Sequence, residues 1–372
     1  MKDIYYAIIG ISLSAFYIFY VIIERLLINY YRKKIPLIIH VNGIRGKSTT
    51  TRLIDAGLRN CGFKVFSKTT GTVPTMINSN NQDVVIKRLG KANIREQIKM
   101  LRKAAKENVD VLVLECMAVN PELQKICEEK ILTANISIIT NVRMDHIKDM
   151  GDTLQDLASA LANTTPSNGK LIVNDSEFNE LFLSRTNKKN SQLIVAKEYK
   201  GIEDLDTFKD NIAIALEVAR QLNLDENAFF EGMRQYHKDI GAYSEYKKEN
   251  TIFLNGLSIN DPDSIKIAYD KVISKYDNKD LTILLNSRSD RPTRVSQHLN
   301  MLKLLKCKKI ILMGSATSYL IKKINQEINV DVEVFKEYDA LLNEKVIFAV
   351  GNIGGDGMKL VDYFKKEGEK LC

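Results

Sequence analysis

One junction limits the folds open to this chain more than any other feature. Residues 37–42, LIIHVN, read as a short buried β-strand, and Gly43-Ile44-Arg45-Gly46-Lys47-Ser48-Thr49 follows directly. The alternating stretch LIDAGLRNCGF then reads as a helix, and Lys64-Val65-Phe66 starts another strand. Strand, glycine loop and helix in that order are the context that phosphate binding requires. Successive backbone amides and the helix N-terminus wrap phosphate oxygens, Lys47 neutralises charge, and the Ser48 hydroxyl reaches a nucleotide's Mg²⁺. The loop is one residue shorter than the usual GxxxxGK[ST] run, so the match lies in its setting. A surface turn with a chance lysine is the bland alternative, and the place of GKS between strand and helix weighs against it. Arg45 either adds charge near the β- and γ-phosphates or faces solvent.

The α/β rhythm continues along the chain. Apolar bursts at 109–114 (VDVLVL), 136–140 (ISIIT) and 170–173 (KLIV) alternate with helical patterns at 94–106 and 154–162. They predict an α/β domain with a mostly parallel sheet, closed by helical residues 208–235. A second series follows at 251–257, 281–285, 309–313, 331–335 and 345–350, five strands that suit one doubly wound domain. The boundary falls near 236–250, a polar and weakly patterned stretch. The expected organisation is therefore an anchor with a basic juxtamembrane segment at 1–34, a central domain carrying the phosphate loop at 35–240, and a smaller Rossmann-like substrate domain at 241–372.

The anchor is Ile4 to Ile23, IYYAIIGISLSAFYIFYVII, which holds no charge. Its length, at about 1.5 Å per residue, crosses a hydrocarbon layer of roughly 30 Å. A secretory signal fits less well, because Lys2 and Asp3 cancel and no small-x-small cleavage site follows. A buried core helix fits less well too, since the run is apolar all round with tyrosines near both ends. Arg25, Arg32, Lys33 and Lys34 then place the N-terminus outside and the large domains in the cytoplasm, as a single-pass protein of the cell membrane. Five scattered cysteines without a CxxC pair agree with a reducing compartment. The net charge of +8 suits nucleic acid, a membrane surface or an anionic substrate. Nucleic acid is set aside, because the lysines are dispersed and neither a zinc pattern nor RNP-like aromatic strands are present.

Three polar clusters are delivered by successive strand ends. Lys68-Thr69-Thr70-Gly71-Thr72 supplies hydroxyls that can orient phosphate or a metal, although TTGT by itself is only a turn signal. Glu115 ends VDVLVLE, on the usual ligand edge of a parallel sheet, and is a candidate Mg²⁺ ligand. Cys116 beside it reads as a packing residue, since no base is suggested nearby. Thr140-Asn141-Val142-Arg143-Met144-Asp145-His146 places an Asp-His pair at a third strand end, where it can hold metal or position phosphate. In the C-terminal half, Arg288, Arg291 and Arg294 offer donor forks for carboxylate or phosphate, with a solvated charge run as the alternative, most of all for Arg294. Gly351-Asn352-Ile353-Gly354-Gly355 permits a tight turn and is not a dinucleotide fingerprint.

Together GIRGKSTTTRL, KTTGT, LECMA and TNVRMDHIKDMG resemble the ATP-dependent amide ligases of the Mur ligase and folylpolyglutamate synthetase superfamily. Within it the chain is most similar to the catalytic ligase subunits of poly-gamma-glutamate synthase, which make capsule polymer. The resemblance runs from the anchor through the last strand and includes GNIGG. It implies that Gly43, Arg45, Gly46, Lys47, Ser48 and Thr49 hold ATP phosphates, with Asn211 on the adenine side and Arg288 also at the nucleotide. It implies further that Ser48, Thr70, Thr72, Glu115 and His146 surround Mg²⁺, or Mn²⁺ in its place. Arg291 then contacts phosphate and Asp261 handles the incoming amino group, completing a catalytic set with Lys47, Glu115 and His146. Two positions depart from the superfamily: a lysine, carbamylated in several members, is replaced near Leu161, and a second adenine-side asparagine falls on Ile214. A nucleotide-sugar-binding first domain is also missing ahead of the loop, which argues against a sugar-nucleotide peptide substrate.

The reaction so implied joins glutamate to a growing poly-gamma-glutamate chain through a γ-glutamyl phosphate, with release of ADP and phosphate. Integral membrane subunits of a synthesis and export complex, the lipid bilayer and a second copy of the chain are the expected partners. A tethered ligase for another amino acid or a glutamylated cofactor is the first rival, and an ATP-driven assembly or transport subunit is the second.

Overall fold

The junction at residues 37–60 folds around a central strand. In the computed structural model, β1 (Leu37–Asn42) is hydrogen-bonded on both sides by parallel neighbours, and α2 (Lys47–Asn60) leaves the loop behind it; α1 (Lys2–Lys33) precedes them. The structure describes all residues except 1, 72, 89, 91, 145–146, 175, 201–204, 206, 239–242, 260–261, 288–293, 316 and 372. Two compact units divide it, Met1–Lys238 and Asp239–Cys372.

After α2, the first unit continues with β2 (Val65–Thr69), β3 (Thr75–Ile77), β4 (Asp83–Val85), α3 (Arg95–Glu107), β5 (Val111–Glu115), α4 (Pro121–Ile126) and β6 (Ile136–Ile139). It then runs through α5 (Ile147–Met150), α6 (Leu154–Leu161), β7 (Lys170–Val173), α7 (Asn179–Lys188), β8 (Gln192–Val195), α8 (Lys209–Gln221) and α9 (Glu226–Arg234). The eight strands form one sheet in the order β4-β3-β2-β5-β1-β6-β7-β8, parallel except at one edge, where β3 runs antiparallel to both β2 and β4. Continuous Val/Ile/Leu runs suit strands covered on both faces. Alternate residues of β1 supply both layers: Ile39 and Val41 pack with Leu53, Leu58, Val218 and Phe229, while Ile38 packs with Phe66, Met100 and Leu101.

Residues 208–235, expected as one helical stretch, are two helices. Asn223 adopts φ +55° and the Asp225 side chain accepts from the amides of Asn227 and Ala228, so a turn and a new N-cap interrupt the apolar pattern.

The apolar N-terminal run belongs to a helix whose other end packs on the first unit. The residues of α1 from Ile4 through Ile23 leave their large apolar side chains exposed, and α1 is the one helix among the described residues long and apolar enough to cross a membrane. Further along, Ile28 is buried against Met100 and Leu101. Arg32 donates to Ile35 O at 3.0 Å, Thr133 O at 3.1 Å and Asn135 Oδ1 at 2.9 Å, and the same Oδ1 accepts from Ile38 N at 2.9 Å. The C-terminal end of α1 is thereby fastened to the root of β1.

The second unit comprises β9 (Ser244–Lys248), β10 (Thr251–Asn255), α10 (Pro262–Lys275), β11 (Leu281–Ser287), α11 (Arg294–Leu302), β12 (Lys309–Gly314), α12 (Thr317–Glu327), β13 (Asp331–Val334), β14 (Val346–Gly351), α13 (Asp356–Glu367) and β15 (Glu369–Lys370). Its sheet runs β13-β12-β11-β14-β10-β9-β15. The five expected strands are its parallel core; β9 and β15 add an antiparallel flank. The strand β9 lies in the stretch read as unpatterned, because polar contacts rather than apolar alternation hold it. Glu245 pairs with Lys275 at 2.7 Å and the Lys248 ammonium sits 3.5 Å from the centre of the Tyr363 ring.

Seating of α1 is testable in detergent. Ile28→Ala is expected to lower stability by about 2 kcal/mol in chemical denaturation, the usual cost of emptying a buried aliphatic site. Ile11→Ala, on the exposed part of the helix, is expected to leave it unchanged.

Candidate active site

The loop after β1 is shaped by two glycines. Gly43 has φ +125° and Gly46 φ +80°, and a Cβ at Gly46 would lie 2.4 Å from Asn211 Oδ1. Both positions demand glycine, one turn of chain apart. A clamp from the end of β6 holds the loop: Ile44 N donates to Asn141 O at 3.2 Å, Arg45 N to Asn141 Oδ1 at 3.0 Å, and Thr140 Oγ1 to Arg45 O at 2.6 Å. The Ile44 side chain is buried with Met150, Leu157 and Leu161, so the loop is pinned on its apolar side too. Lys47 Nζ donates to Gly43 O at 2.7 Å and to Ile44 O at 3.2 Å, which places its ammonium within the curve of the loop. Thr49 is half-buried in the first turn of α2. Asn211 is buried beside the loop, accepting from Thr50 Oγ1 and donating to Thr207 Oγ1, each at 3.3 Å.

Opposite the loop stands Glu115, only 2% exposed at the end of β5. Its carboxylate accepts from Ser48 Oγ at 2.7 Å, from Thr70 N at 2.6 Å and from Thr70 Oγ1. Three of the expected metal-site residues therefore converge, brought by α2, β2 and β5. The set is all oxygen, one carboxylate and two hydroxyls, which fits a hard divalent cation that takes its remaining ligands from phosphate and water. A cavity of about 170 Å³ opens here, lined by Asn42, Lys47, Thr70, Glu115, Met117 and Leu161 among others. Leu161, 1% exposed, gives this wall an apolar side chain. Cys116 is buried, with its thiol 3.8 Å from Ala118 O. Thr72, His146, Asp261, Arg288 and Arg291 lie outside the described residues.

Residues 41–229 match the Mur ligase middle domain, and residues 240–367 match the poly-gamma-glutamate synthase CapB C-terminal domain. Among curated proteins, PGA synthase CapB of Bacillus subtilis is 35% identical over 354 residues, covering 88% of this chain and 90% of that one. The capsule biosynthesis protein CapB of Bacillus anthracis is 33% identical, covering 97% and 83%. This chain belongs to the CapB family of the Mur ligase superfamily. Members are ATP-dependent amide ligases of poly-gamma-glutamate synthesis, and that is the activity of this chain. Its fold is that of folylpolyglutamate synthase. E. coli FolC with ADP superposes with a TM-score of 0.67 at 15% identity, covering 92% of this chain and 94% of that one. A bifunctional folylpolyglutamate synthase/dihydrofolate synthase with Mn, AMPPNP and L-glutamate bound gives 0.66 at 13% identity, covering 91% and 93%.

The CapB-family site also contains a buried ionic group that the sequence did not single out. Lys68, fully buried, pairs with Glu96 Oε1 at 2.8 Å; Arg88 grips the same carboxylate at 2.7 and 2.9 Å. Lys68 lies within 3.4 Å of Met117 Sδ, on the wall of the cavity. Burial pushes the Lys68 ammonium below its usual pKa, opposed by its bond to Glu96. Burial alone would raise Glu96, but Arg88 and Lys68 hold it down to about 2. The available signal was a lysine inside an otherwise buried strand, VFSKT, which must find a carboxylate.

Because the Glu96 carboxyl titrates near 2 when folded and near 4.5 ordinarily, its stabilisation is complete above pH 4.5 and is lost as pH falls toward 2. The advantage of the wild type over Glu96→Gln in urea midpoint is expected to hold above about pH 4.5 and to shrink as pH falls from there toward about 2. Gly46→Ala, forced to positive φ and against Asn211, is expected to weaken binding of a fluorescent nucleotide at least about tenfold.

Proposed function

We propose that this ligase polymerises glutamate through γ-linked amide bonds, and that it does so by way of a γ-glutamyl phosphate. The observation that carries the reading is the convergence of Ser48, Thr70 and Glu115 across from the Lys47 loop. An amide cannot form from a carboxylate and an amine at neutral pH without activation. In the first step a γ-carboxylate oxygen of the chain attacks the γ-phosphorus of ATP, and the bond to the β-phosphate oxygen breaks to release ADP. In the second, the amine of the next glutamate attacks the acyl carbon, loses a proton and expels phosphate.

Each residue has a part in this scheme. The amides of the glycine loop and the start of α2 bind phosphate oxygens. Lys47 exchanges the carbonyls of Gly43 and Ile44 for the β- and γ-phosphates and neutralises charge as the phosphoryl group moves. Ser48, Thr70 and Glu115 hold Mg²⁺, or Mn²⁺ in its place, which when bound supplies charge neutralisation at the phosphate oxygens. Thr72 and His146 are proposed to complete that set. Arg288 and Arg291 are proposed for phosphate, and Asp261 for the incoming amine. Asn211, held between Thr50 and Thr207, borders the nucleotide. A structural neighbour binds Mn, AMPPNP and L-glutamate, which supports ATP, a divalent metal and glutamate as the molecules this fold takes.

The exposed apolar part of α1 supports a single membrane span, and the basic residues Arg25, Arg32, Lys33 and Lys34 after it support the N-terminus outside and the catalytic units in the cytoplasm. Such a span suits delivery of a polyanion to integral membrane subunits for export, with homo-oligomerisation as a further proposed contact.

Membranes carrying the protein, given ATP, Mg²⁺ and labelled glutamate, are expected to release ADP and form γ-linked product. Lys47→Ala and Glu115→Ala are each expected to lower the rate about 100-fold or more. ADP release without an amino-acid acceptor would instead indicate a motor, and preference for another amino acid would overturn the substrate assignment.

A further inference from the structure

The first turn of α3 reaches three different elements with three consecutive side chains. Arg95 donates to Tyr20 and Glu24 of α1, Glu96 binds Lys68 and Arg88, and Gln97 turns inward. Gln97 is fully buried, and its Nε2 donates to the backbone carbonyl of Glu115 at 2.9 Å. Its Oε1 accepts from Lys68 Nζ at 3.4 Å, a long bond that nevertheless settles which end of the amide faces Glu115.

That carbonyl has a particular need. The N–H of Cys116, in the same peptide unit, donates to Val41 O of β1 at 2.7 Å. In a trans peptide the carbonyl then points the other way, toward β2. Pairing of β2 with β5 ends at Lys68 opposite Leu114, so no strand carbonyl partner continues to this height. A buried carbonyl left without a donor is destabilising. The amide of Gln97 supplies the donor, and the peptide plane after Glu115 is fixed between β1 and α3.

We propose that Gln97 is a positioning residue for the Glu115 carboxylate: by fixing this peptide plane it holds the side chain at the height where Ser48 and Thr70 meet it. This rests on the reading of Glu115 as a ligand of the divalent cation. Residues around a metal ligand commonly change affinity about 10–100-fold when removed. Lys68 acts one step further out, orienting Gln97, and the Glu96–Arg88 pair keeps Lys68 in place.

The test measures Mn²⁺ affinity of the full-length protein with AMPPNP, by the loss of the free-ion EPR signal, alongside metal-free ADP binding and thermal unfolding. Gln97→Met, which keeps the volume and removes the donor, is expected to weaken Mn²⁺ at least about tenfold and leave metal-free ADP binding unchanged. If that variant does not fold, Gln97→Glu, of the same shape but unable to donate when ionised, gives the same comparison. Glu115→Gln is the reference and is expected to weaken Mn²⁺ more. Wild-type Mn²⁺ affinity in the folded Gln97 variant, with Glu115→Gln impaired, would overturn the positioning role alone. A parallel loss of unfolding temperature, Mn²⁺ and metal-free ADP binding would mark a merely structural residue and overturn it too. Unchanged Mn²⁺ affinity in Glu115→Gln would instead remove the metal assignment on which the inference stands.

Discussion

A carboxylate almost wholly removed from water organises the first unit. Glu115 is 2% exposed, and an ion in that position is tolerated only where donors or cations surround it. The donors come from Ser48 and Thr70, on segments that are separate in sequence and meet because β2, β5 and β1 lie side by side. The same demand recurs one layer away, where the buried Lys68 ammonium needs Glu96 and Glu96 in turn takes Arg88. Charges that would be costly alone are mutually satisfied, and the geometry of the phosphate site is the by-product of satisfying them.

What could be read in advance was whatever is local. The loop from Gly43 to Thr49 declares itself because strand, glycines and helix are contiguous, and Glu115 because it terminates an apolar run. The clamp of Thr140 and Asn141 on the loop was visible only as a polar strand end; its partner depends on β6 lying next to β1. Gln97 sits in a helix that looks amphipathic and ordinary, and nothing in its sequence neighbours reports that it faces a carbonyl eighteen positions away. In the second unit, β9 escaped notice because Glu245, Lys247 and Lys248 carry no apolar alternation, while the parallel strands with continuous apolar runs were plain. Long polar contacts across the sheet order are thus the part that sequence periodicity does not encode.

Leu161 has a chemical meaning for the cavity beside Glu115. Leu161 offers hydrocarbon, and Met117 and Met150 line the same cavity. The oxygens proposed to hold the cation are concentrated on the Ser48, Thr70 and Glu115 side. The nearest buried ammonium, Lys68, is committed to Glu96.

The continuity of α1 into the catalytic unit has a mechanical consequence. Only Lys34, Ile35 and Pro36 separate the helix from β1, and Arg32 bridges that gap through Asn135. For a helix proposed to span the bilayer, this leaves no swivel. The azimuth of the phosphate site about the membrane normal is then set by helical phase, and each residue inserted into α1 would rotate the first unit by about 100° and move it by about 1.5 Å. Such a rigid mounting would dictate which side of the anchor the polymer emerges on.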